Sequence, residues 1–229
     1  MSDNSLKRNE EPIHVILDFA LREWSSEAQN ILEHLKNEEP FKLLVRTILS
    51  QNTSDRNSRN AFLRLDRNIG ATPESIANAR LDELMKALRV AGLYRERSIR
   101  LKEIAKIIIE DYGKDLKWIR SLPLNEARKR LLALPGVGYK TADIMLAFYG
   151  EKPILPVDTH IRRLALRLGY ASPKDNYDKV REVLESKIEP SKRAIAHLLL
   201  IRFGREICKA RKPLCRQCPV SNLCSYSRK

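Results

Sequence analysis

The protein has 229 residues, with 43 Lys and Arg against 29 Asp and Glu, which gives a formal net charge of +14. Its length and its 43% hydrophobic content suffice to bury a core, which excludes a disordered chain. No apolar run approaches the roughly 20 residues that a membrane span needs. The segment 1–11 mixes both charge signs and lacks an apolar stretch, so we expect neither a signal nor a transit peptide. We therefore expect a cytoplasmic protein that does not associate with a membrane.

The basic surplus is concentrated at the C-terminal end of the chain. Residues 202–229 carry eight Lys and Arg and one Glu, a net charge of +7, and they include all four cysteines. An uneven surplus of this size indicates a polyanionic partner such as nucleic acid. The alternative is a basic protein whose charge only aids solubility.

Hydrophobic periodicity predicts helices along almost the whole chain. Apolar residues recur at the i, i+3, i+4, i+7 spacing of one buried helix face. In chain order, these stripes lie at 13–24, 41–49, 81–88, 101–108, 142–149, 161–168 and 180–184. Pro40 suits a first helical turn, and Gly92 and Gly169 suit left-handed caps at helix ends. Only 154–157 has an extended pattern, and its flanking prolines make it a connector, so we predict an all-α protein.

The segment 131–143 predicts two helices joined by a tight turn. The first helix is expected at about 125–133 and the second from about Tyr139, with glycines at 136 and 138 between them. Glycine permits unusual dihedrals and close approach of another molecule. The free amides and the dipole at the start of the second helix suit a phosphate. The simpler interpretation is an ordinary helical hairpin whose glycines only close the turn.

A longer string of residues favours the first interpretation. Leu134-Pro-Gly-Val-Gly138 is followed by Lys140-Thr-Ala142, and Val157-Asp-Thr-His160 comes after a proline-rich connector. This pattern resembles the helix-hairpin-helix DNA glycosylases, and most closely the endonuclease III family. The resemblance covers the chain from about residue 41 to residue 224.

The resemblance implies an all-α fold of two helical lobes with a DNA-binding cleft between them. One lobe is expected at 35–150, as a six-helix barrel whose helix-hairpin-helix motif lies at about 125–148. The other lobe is a helical iron–sulfur cluster domain. It is expected to combine 1–34 with 151–229 and to carry the cluster loop at 208–224.

The resemblance also implies that Lys140 and Asp158 are the catalytic residues. A neutral lysine amine attacks a sugar carbon, displaces the base and forms a Schiff base, while a carboxylate stabilises positive charge and assists proton transfer. The start of the second helix and nearby cations such as Arg128 and Arg130 favour the neutral amine. Outside this context Lys140 would be an ordinary solvated lysine, and Asp158 the N-cap of the next helix.

Contacts of the hairpin with DNA follow from the same resemblance. Gly136, Val137 and Gly138 are expected to grip the backbone beside a damaged nucleotide, a contact that positions a duplex without reading its sequence. His160 has two interpretations. It contacts a phosphate or the extruded nucleotide, or it simply occupies the first turn of a helix.

Two further segments, 49–55 and 92–94, resemble the residues with which the family fills the gap left by an extruded nucleotide. Relatives commonly place a glutamine two residues after the serine of the first segment, where this chain has Asn52. Either Asn52 fills the gap with a shorter amide, or Gln51 does so after a local shift. In the second segment Leu93 is either a wedge or a core leucine.

The spacing Cys-x6-Cys-x2-Cys-x5-Cys joins the four cysteines of the chain, Cys208, Cys215, Cys218 and Cys224. Disulfides are not expected in the cytoplasm. Four thiolates hold either zinc or a [4Fe–4S] cluster, and general spacing rules do not decide between them. The resemblance favours the cluster and leaves zinc as the alternative. The loop between the first two cysteines would present three cations to DNA phosphates, Lys209, Arg211 and Lys212.

We therefore predict a monomeric, nucleoid-associated base-excision-repair glycosylase with AP lyase (β-elimination) activity. Its partner is double-stranded DNA with damaged bases or abasic sites, from which it removes oxidised or saturated pyrimidines. One alternative is a monofunctional or mismatch-specific glycosylase of the same superfamily, against which Lys140 argues. Another is a non-catalytic duplex-binding module that uses only the hairpin and the basic loop. Tyr139 and Asp143 depart from the family pattern and leave the lesion preference open.

Overall fold

The computed structural model describes residues 11–227. Residues 1–10, on which most of the expectation of no signal or transit peptide rests, lie outside this range, as do 228 and 229. Between residues 11 and 227 every regular element is helical and no strand forms, which confirms the all-α prediction. Within the same range, no helix combines the length and apolarity needed to cross a membrane.

The described residues form two compact units. Residues 35–152 make up one, which we call the hairpin unit, and residues 11–34 together with 153–227 make up the other, which we call the cysteine unit.

The first helices of the hairpin unit begin where the sequence provides caps. Pro40 opens its first helix, and the carboxylate of Glu39 accepts a hydrogen bond from the backbone of Lys42. Ser54 caps the next helix in the same way. In chain order the helices are α2 (Pro40–Ser50), α3 (Asp55–Asn68), α4 (Pro73–Asn78), α5 (Leu81–Leu88), α6 (Tyr94–Asp111), α7 (Trp118–Ser121), α8 (Leu124–Leu132) and α9 (Tyr139–Ile144), with a 3-10 turn at Arg89–Ala91.

The stripes predicted from periodicity form the core of this unit. Phe41, Leu44 and Ile48 of α2 are buried, as are the apolar residues of the 101–108 stripe on α6. The stripe at 142–149 differs from expectation, because Met145–Tyr149 winds as a π-helix after α9. All five of these residues are buried, so the wider turn places a whole segment in the core, where an amphipathic α-helix buries one face.

The cysteine unit contains α1 (Pro12–Asn37, of which 35–37 belong to the hairpin unit), α10 (Thr159–Leu168), α11 (Tyr177–Glu185) and α12 (Arg193–Glu206), with 3-10 turns at Pro190–Lys192 and Cys215–Gln217. Its core is apolar and includes Ile16, Leu164 and Phe203. The connector at 154–157 is not a strand, as predicted, although its apolar residues are buried. A Cβ added at Gly204 of α12 would lie 2.9 Å from the Cβ of His160, so only glycine permits this approach of α12 to α10.

A buried ion pair joins the two helices of the hairpin. Asp143 on α9 is fully buried, and Arg128 on α8 binds both of its carboxylate oxygens, with Nε to Oδ1 at 2.7 Å and Nη2 to Oδ2 at 3.2 Å. The guanidinium also lies 5.1 Å from the ring centroid of Tyr139. Removal of one member would leave a charge in a low-dielectric environment, where it is expensive.

We expect Arg128→Met to lower the free energy of unfolding by about 3–5 kcal/mol, the usual result when a buried charge loses its partner. Urea unfolding followed by circular dichroism measures the loss. Arg130→Met is the matched control, because Arg130 of α8 forms an exposed pair with Glu126 whose loss costs at most about 1 kcal/mol. Equal losses for the two variants would contradict the importance of the buried pair.

A second polar cluster holds the start of α1. The carboxylate of Glu11 accepts hydrogen bonds from Lys187 Nζ at 2.6 Å and from the Tyr170 hydroxyl at 2.9 Å. That hydroxyl accepts in turn from the backbone N–H of Ile13 at 3.1 Å. The bond from Lys187, and after it the bond from Tyr170, holds the pKa of Glu11 below its ordinary value of 4.5.

A carboxylate with a depressed pKa stabilises the fold above its unfolded pKa and loses this contribution as the pH falls through the folded value. Glu11→Gln should therefore lower the melting temperature at pH 7. The difference from wild type should shrink once the pH falls below about 4.5. Thermal unfolding between pH 7 and pH 3.5 tests this, and a difference that stays constant over the range would contradict it.

Candidate functional site

The turn between α8 and α9 needs one of its glycines for its shape and leaves the other open. Gly136 has φ +70°, and a Cβ there would collide with the Arg100 side chain. Gly138 caps α9 in an extended conformation, and a Cβ added there would meet nothing within 4 Å. Val137 between them is buried. The turn therefore fixes its own shape through Gly136 and Val137 and leaves Gly138 exposed.

Lys140 is the second residue of α9 and is half-buried. It closely follows the open backbone of Gly138, at the positive end of the helix dipole. The two arginines expected to act on its amine are each paired with a carboxylate, Arg128 with Asp143 and Arg130 with Glu126. These pairs largely offset the two arginine charges, which leaves the start of α9 as the positive feature nearest to Lys140 in the sequence.

The Gln51 side chain is bonded to the hairpin. Its amide Nε2 donates to Thr141 Oγ1 at 3.1 Å and to the Gly136 carbonyl at 3.4 Å. Asn52, the next residue, is exposed and has a left-handed backbone with φ +52°. The structure thus gives the two amides different surroundings, one braced within the hairpin unit and one facing solvent.

Leu93 is the residue before α6 and is also left-handed, with φ +46°. Its side chain is 58% exposed, which excludes the interpretation as a core leucine. An exposed leucine on a conformation that costs a non-glycine residue about 1–2 kcal/mol is an unusual feature that indicates a specific role for the position.

In the cysteine unit, Asp158 caps α10. Its Oδ1 accepts a hydrogen bond from the backbone N–H of Ile161 at 2.8 Å, as its position in the sequence predicts. His160 in the first turn is half-buried against Gly204, and its Nδ1 lies 3.1 Å from Arg163 Nη2. Burial lowers the pKa of this imidazole, so the neutral ring is favoured.

Two arginines for which the sequence suggested no role hold the start of the cysteine-rich loop. Arg163 on α10 donates to the carbonyls of Gly204 and Cys208, at 2.7 and 3.0 Å. Arg167, one turn later, donates to the carbonyls of Lys209 and Ala210 and to the Cys208 sulfur, the last at 3.1 Å. The sequence offered one sign of this role, which is that the two arginines stand four residues apart on the helix that Asp158 caps.

The loop brings its four thiols near one another and holds its cations outward. Burial raises the pKa of the Cys218 thiol to about 11, and the other three cysteines act in the same direction. Lys209, Arg211 and Lys212 are all exposed. Among residues 11–227, no three His, Cys, Asp or Glu side chains form the tight group that ligates a single metal ion. Four thiols on one short loop are a donor set that suits an iron–sulfur cluster.

Two family models match the chain. Residues 45–190 match the HhH-GPD superfamily of base excision DNA repair proteins. Residues 208–224, which begin and end at cysteines, match the iron–sulfur binding domain of endonuclease III. The cofactor is accordingly a [4Fe–4S] cluster rather than zinc.

Relatives match over nearly the whole chain. Endonuclease III of Thermotoga maritima is 34% identical over 85% of this chain and 86% of its own length, and that of Bacillus subtilis is 34% identical over 85% of each. Among solved structures, a trapped endonuclease III–DNA covalent intermediate covers 94% of this chain and 95% of its own, with a TM-score of 0.80 and 28% identity. A thermostable thymine-DNA glycosylase covers 90% of this chain and 97% of its own, with a TM-score of 0.70 and 27% identity. The chain therefore belongs to the endonuclease III family of HhH-GPD base excision DNA repair enzymes.

Proposed function

We propose that this enzyme is a bifunctional glycosylase and AP lyase that removes oxidised or saturated pyrimidines from duplex DNA. The observation that carries the proposal is Lys140, a half-buried amine placed just after the glycine turn at the start of α9. It stands in a chain that resembles, over 94% of its length, an endonuclease III trapped in a covalent intermediate with DNA. A covalent intermediate requires a nucleophile, and lysine supplies one.

The proposed reaction has two stages, both of which use the Lys140 amine. The neutral amine attacks C1′ of the damaged nucleotide, the bond from C1′ to the base breaks, and the base leaves with its bonding electrons and a proton. The sugar ring opens to a Schiff base between C1′ and the lysine nitrogen. Loss of a proton from C2′ then expels the 3′ phosphate by β-elimination, and water releases the sugar fragment from the lysine.

Asp158 is proposed to supply the carboxylate of this reaction. Its Oδ1 caps α10, while an ionised carboxylate has four lone-pair sites and retains the capacity to accept further protons or hydrogen bonds. We propose that it stabilises positive charge that develops on the sugar and transfers a proton from the amine nitrogen to O4′ as the C1′–O4′ bond breaks and the Schiff base forms.

The DNA contacts are proposed to come from both units. In the hairpin unit, Gly136, Val137 and Gly138 hold the backbone, and the exposed Asn52 and Leu93 fill the gap. Gln51 is proposed to brace Asn52 rather than enter the gap, because its amide is already bonded to Thr141. In the cysteine unit, His160 is proposed to lie beside the extruded nucleotide, and the phosphate contacts come from Lys209, Arg211 and Lys212.

The cluster is proposed to hold this basic loop in shape. Its ligands would be the four thiolates, Cys208, Cys215, Cys218 and Cys224. We propose that the cluster supplies a structural constraint and that the phosphate contacts come from the loop side chains. A reducing compartment such as the cytoplasm, in which the enzyme would act as a monomer on the nucleoid, keeps the thiols available.

The likeness to a thymine-DNA glycosylase favours one alternative, the release of a mispaired base without strand cleavage. Tyr139 beside Lys140 is 47% exposed and is a residue that could contact such a base. Under this alternative Lys140 forms no covalent bond with DNA. Borohydride trapping of a covalent complex separates the two functions.

Wild-type protein and borohydride should form a covalent complex with duplex DNA that contains thymine glycol or an abasic site, and Lys140→Gln should form none. Gel electrophoresis of the trapped complex and of the cleaved strand provides the measurement. Base release without trapping would instead establish the monofunctional alternative. Binding without release would indicate a non-catalytic module.

Asp158→Asn tests the carboxylate without loss of the helix cap, because asparagine caps helices as well as aspartate does. We expect unchanged thermal unfolding and a rate constant for trapping that is about 10²–10⁴-fold lower. A variant that traps at the wild-type rate would remove Asp158 from the mechanism.

The basic loop should contribute to DNA affinity in proportion to its cations. Replacement of Lys209, Arg211 and Lys212 by alanine should reduce the slope of log K against log salt by about 0.9 for each phosphate that the loop no longer neutralises. Fluorescence anisotropy with an undamaged duplex measures the slope, and the visible absorbance of the cluster verifies that the loop is intact. Lys174→Ala, an exposed lysine of the same unit, is the control. An unchanged slope in the triple variant would exclude this surface.

A further inference from the structure

Arg97 on α6 is a buried cation that bonds backbone carbonyls rather than a carboxylate. The residue is 3% exposed, and its guanidinium donates to two backbone carbonyls. Burial lowers the pKa of the guanidinium, and the charge of Arg100 acts in the same direction. A buried charge is costly unless polar groups replace its water, so the groups that it bonds are significant.

Arg97 lies close in sequence to one of two loops, 51–54 and 92–93, and bonds the other; we call them the gap loops because they carry Asn52 and Leu93. Its Nη1 donates to the carbonyl of Leu49 at 2.6 Å, in the last turn of α2, and its Nη2 donates to the carbonyl of Gln51 in the first gap loop. Its backbone N–H makes the first-turn bond of α6, to the carbonyl of Leu93 at 3.0 Å, so the residue lies one turn after the second gap loop. The Arg97 side chain therefore ties the first gap loop to the helix that begins directly after the second.

Two exposed residues of the gap loops, Asn52 and Leu93, are held in unfavourable conformations. Asn52 has φ +52° and Leu93 has φ +46°, in the left-handed region that side chains other than glycine rarely adopt. Burial of their own side chains does not stabilise these conformations, since both residues are exposed. Neighbouring contacts must hold them. The Arg97 side chain provides one at the carbonyl of Gln51, next to Asn52, and Leu93 is anchored by the first turn of α6, on which Arg97 lies.

We propose that Arg97 is a positioning residue that couples the two gap loops, so that Asn52 and Leu93 enter the duplex together when a nucleotide is extruded. The proposal rests on the proposed function, because it concerns the same DNA site. Extrusion of a paired base must break pairing and stacking while the gap is being filled. A lesion that has no pairing partner needs less assistance. Loss of Arg97 should therefore affect paired lesions more than unpaired ones.

The test compares Arg97→Met with wild type on two duplexes, one with thymine glycol opposite adenine and one with thymine glycol opposite an abasic site. In single-turnover reactions, the base-release rate should fall about tenfold or more on the paired lesion and less than about threefold on the unpaired one. Arg97→Lys keeps the charge but loses the planar fork, so it should recover part of the rate on the paired lesion.

The matched control is Lys102→Met on the same helix. Lys102 Nζ also donates to two backbone carbonyls, those of Ala77 and Ala79, where α4 ends and no gap loop is involved. Lys102→Met should lower the melting temperature yet leave the ratio of the base-release rates on the two duplexes unchanged. If Arg97→Met slows both substrates equally, as a merely destabilised protein would, the proposal is overturned.

A readout independent of chemistry separates this proposal from the proposed function. 2-Aminopurine placed beside a non-cleavable 2′-fluoro analogue of thymine glycol, itself opposite adenine, becomes more fluorescent when the neighbouring stack opens. Wild-type protein should increase this fluorescence at saturating concentration, and Arg97→Met should increase it by less than about half as much while Lys102→Met matches wild type. An equal increase for all three proteins overturns the coupling. Failure of wild type to release bases or to be trapped overturns only the proposed function.

Discussion

The carbonyl groups at the end of an α-helix have no donor within the helix, and an all-α protein must satisfy many of them. In this protein, cationic side chains do so repeatedly within each unit. A cation at the end of a helix interacts favourably both with the bare oxygens and with the negative end of the dipole. The donors and the helices whose ends they bond are Arg97 for α2, Lys102 for α4, Lys152 for α7, Arg193 for α11, and Arg163 for α12.

This use of cations changes the meaning of the net charge of +14. A side chain bonded to carbonyls inside the protein is not free to contact a phosphate. Arg163 and Arg167, for example, hold the carbonyls of 204 and 208–210, and so they shape the cysteine-rich loop from within. The side chains that remain outward on that loop, such as Lys209 and Lys212, are the ones that can meet DNA. Part of the surplus therefore stabilises the fold, and part of it is displayed.

The sequence predicted those features that depend on local signals. Pro40 opens α2 and Gly169 ends α10 in the left-handed conformation, because these residues have strong backbone preferences. The resemblance to a known family pointed to the cluster, which the family model for 208–224 confirms. The roles of Lys140 and Asp158 stay predictions, since they depend on chemistry that no fold demonstrates.

What the sequence did not reveal depends on which polar residues are buried. Arg97 lies four residues before Leu101 and so extends the apolar stripe of α6, and Asp143 lies within the stripe at 142–149. A polar residue on a buried face was the available signal. The bonding partners of Arg97 could not be predicted, because they are carbonyls 46 and 48 residues away. The packing of α6 against α2 decides which backbone groups meet the guanidinium.

The energies involved indicate what the contacts of Arg97 provide. Two hydrogen bonds from a charged group contribute about 1.5–3 kcal/mol each, while two left-handed residues cost about 1–2 kcal/mol each and burial of a charge costs several more. Little net stability remains, so the contact is better understood as fixing one geometry of the gap loops, which lowers the entropy that must be lost when they engage a duplex.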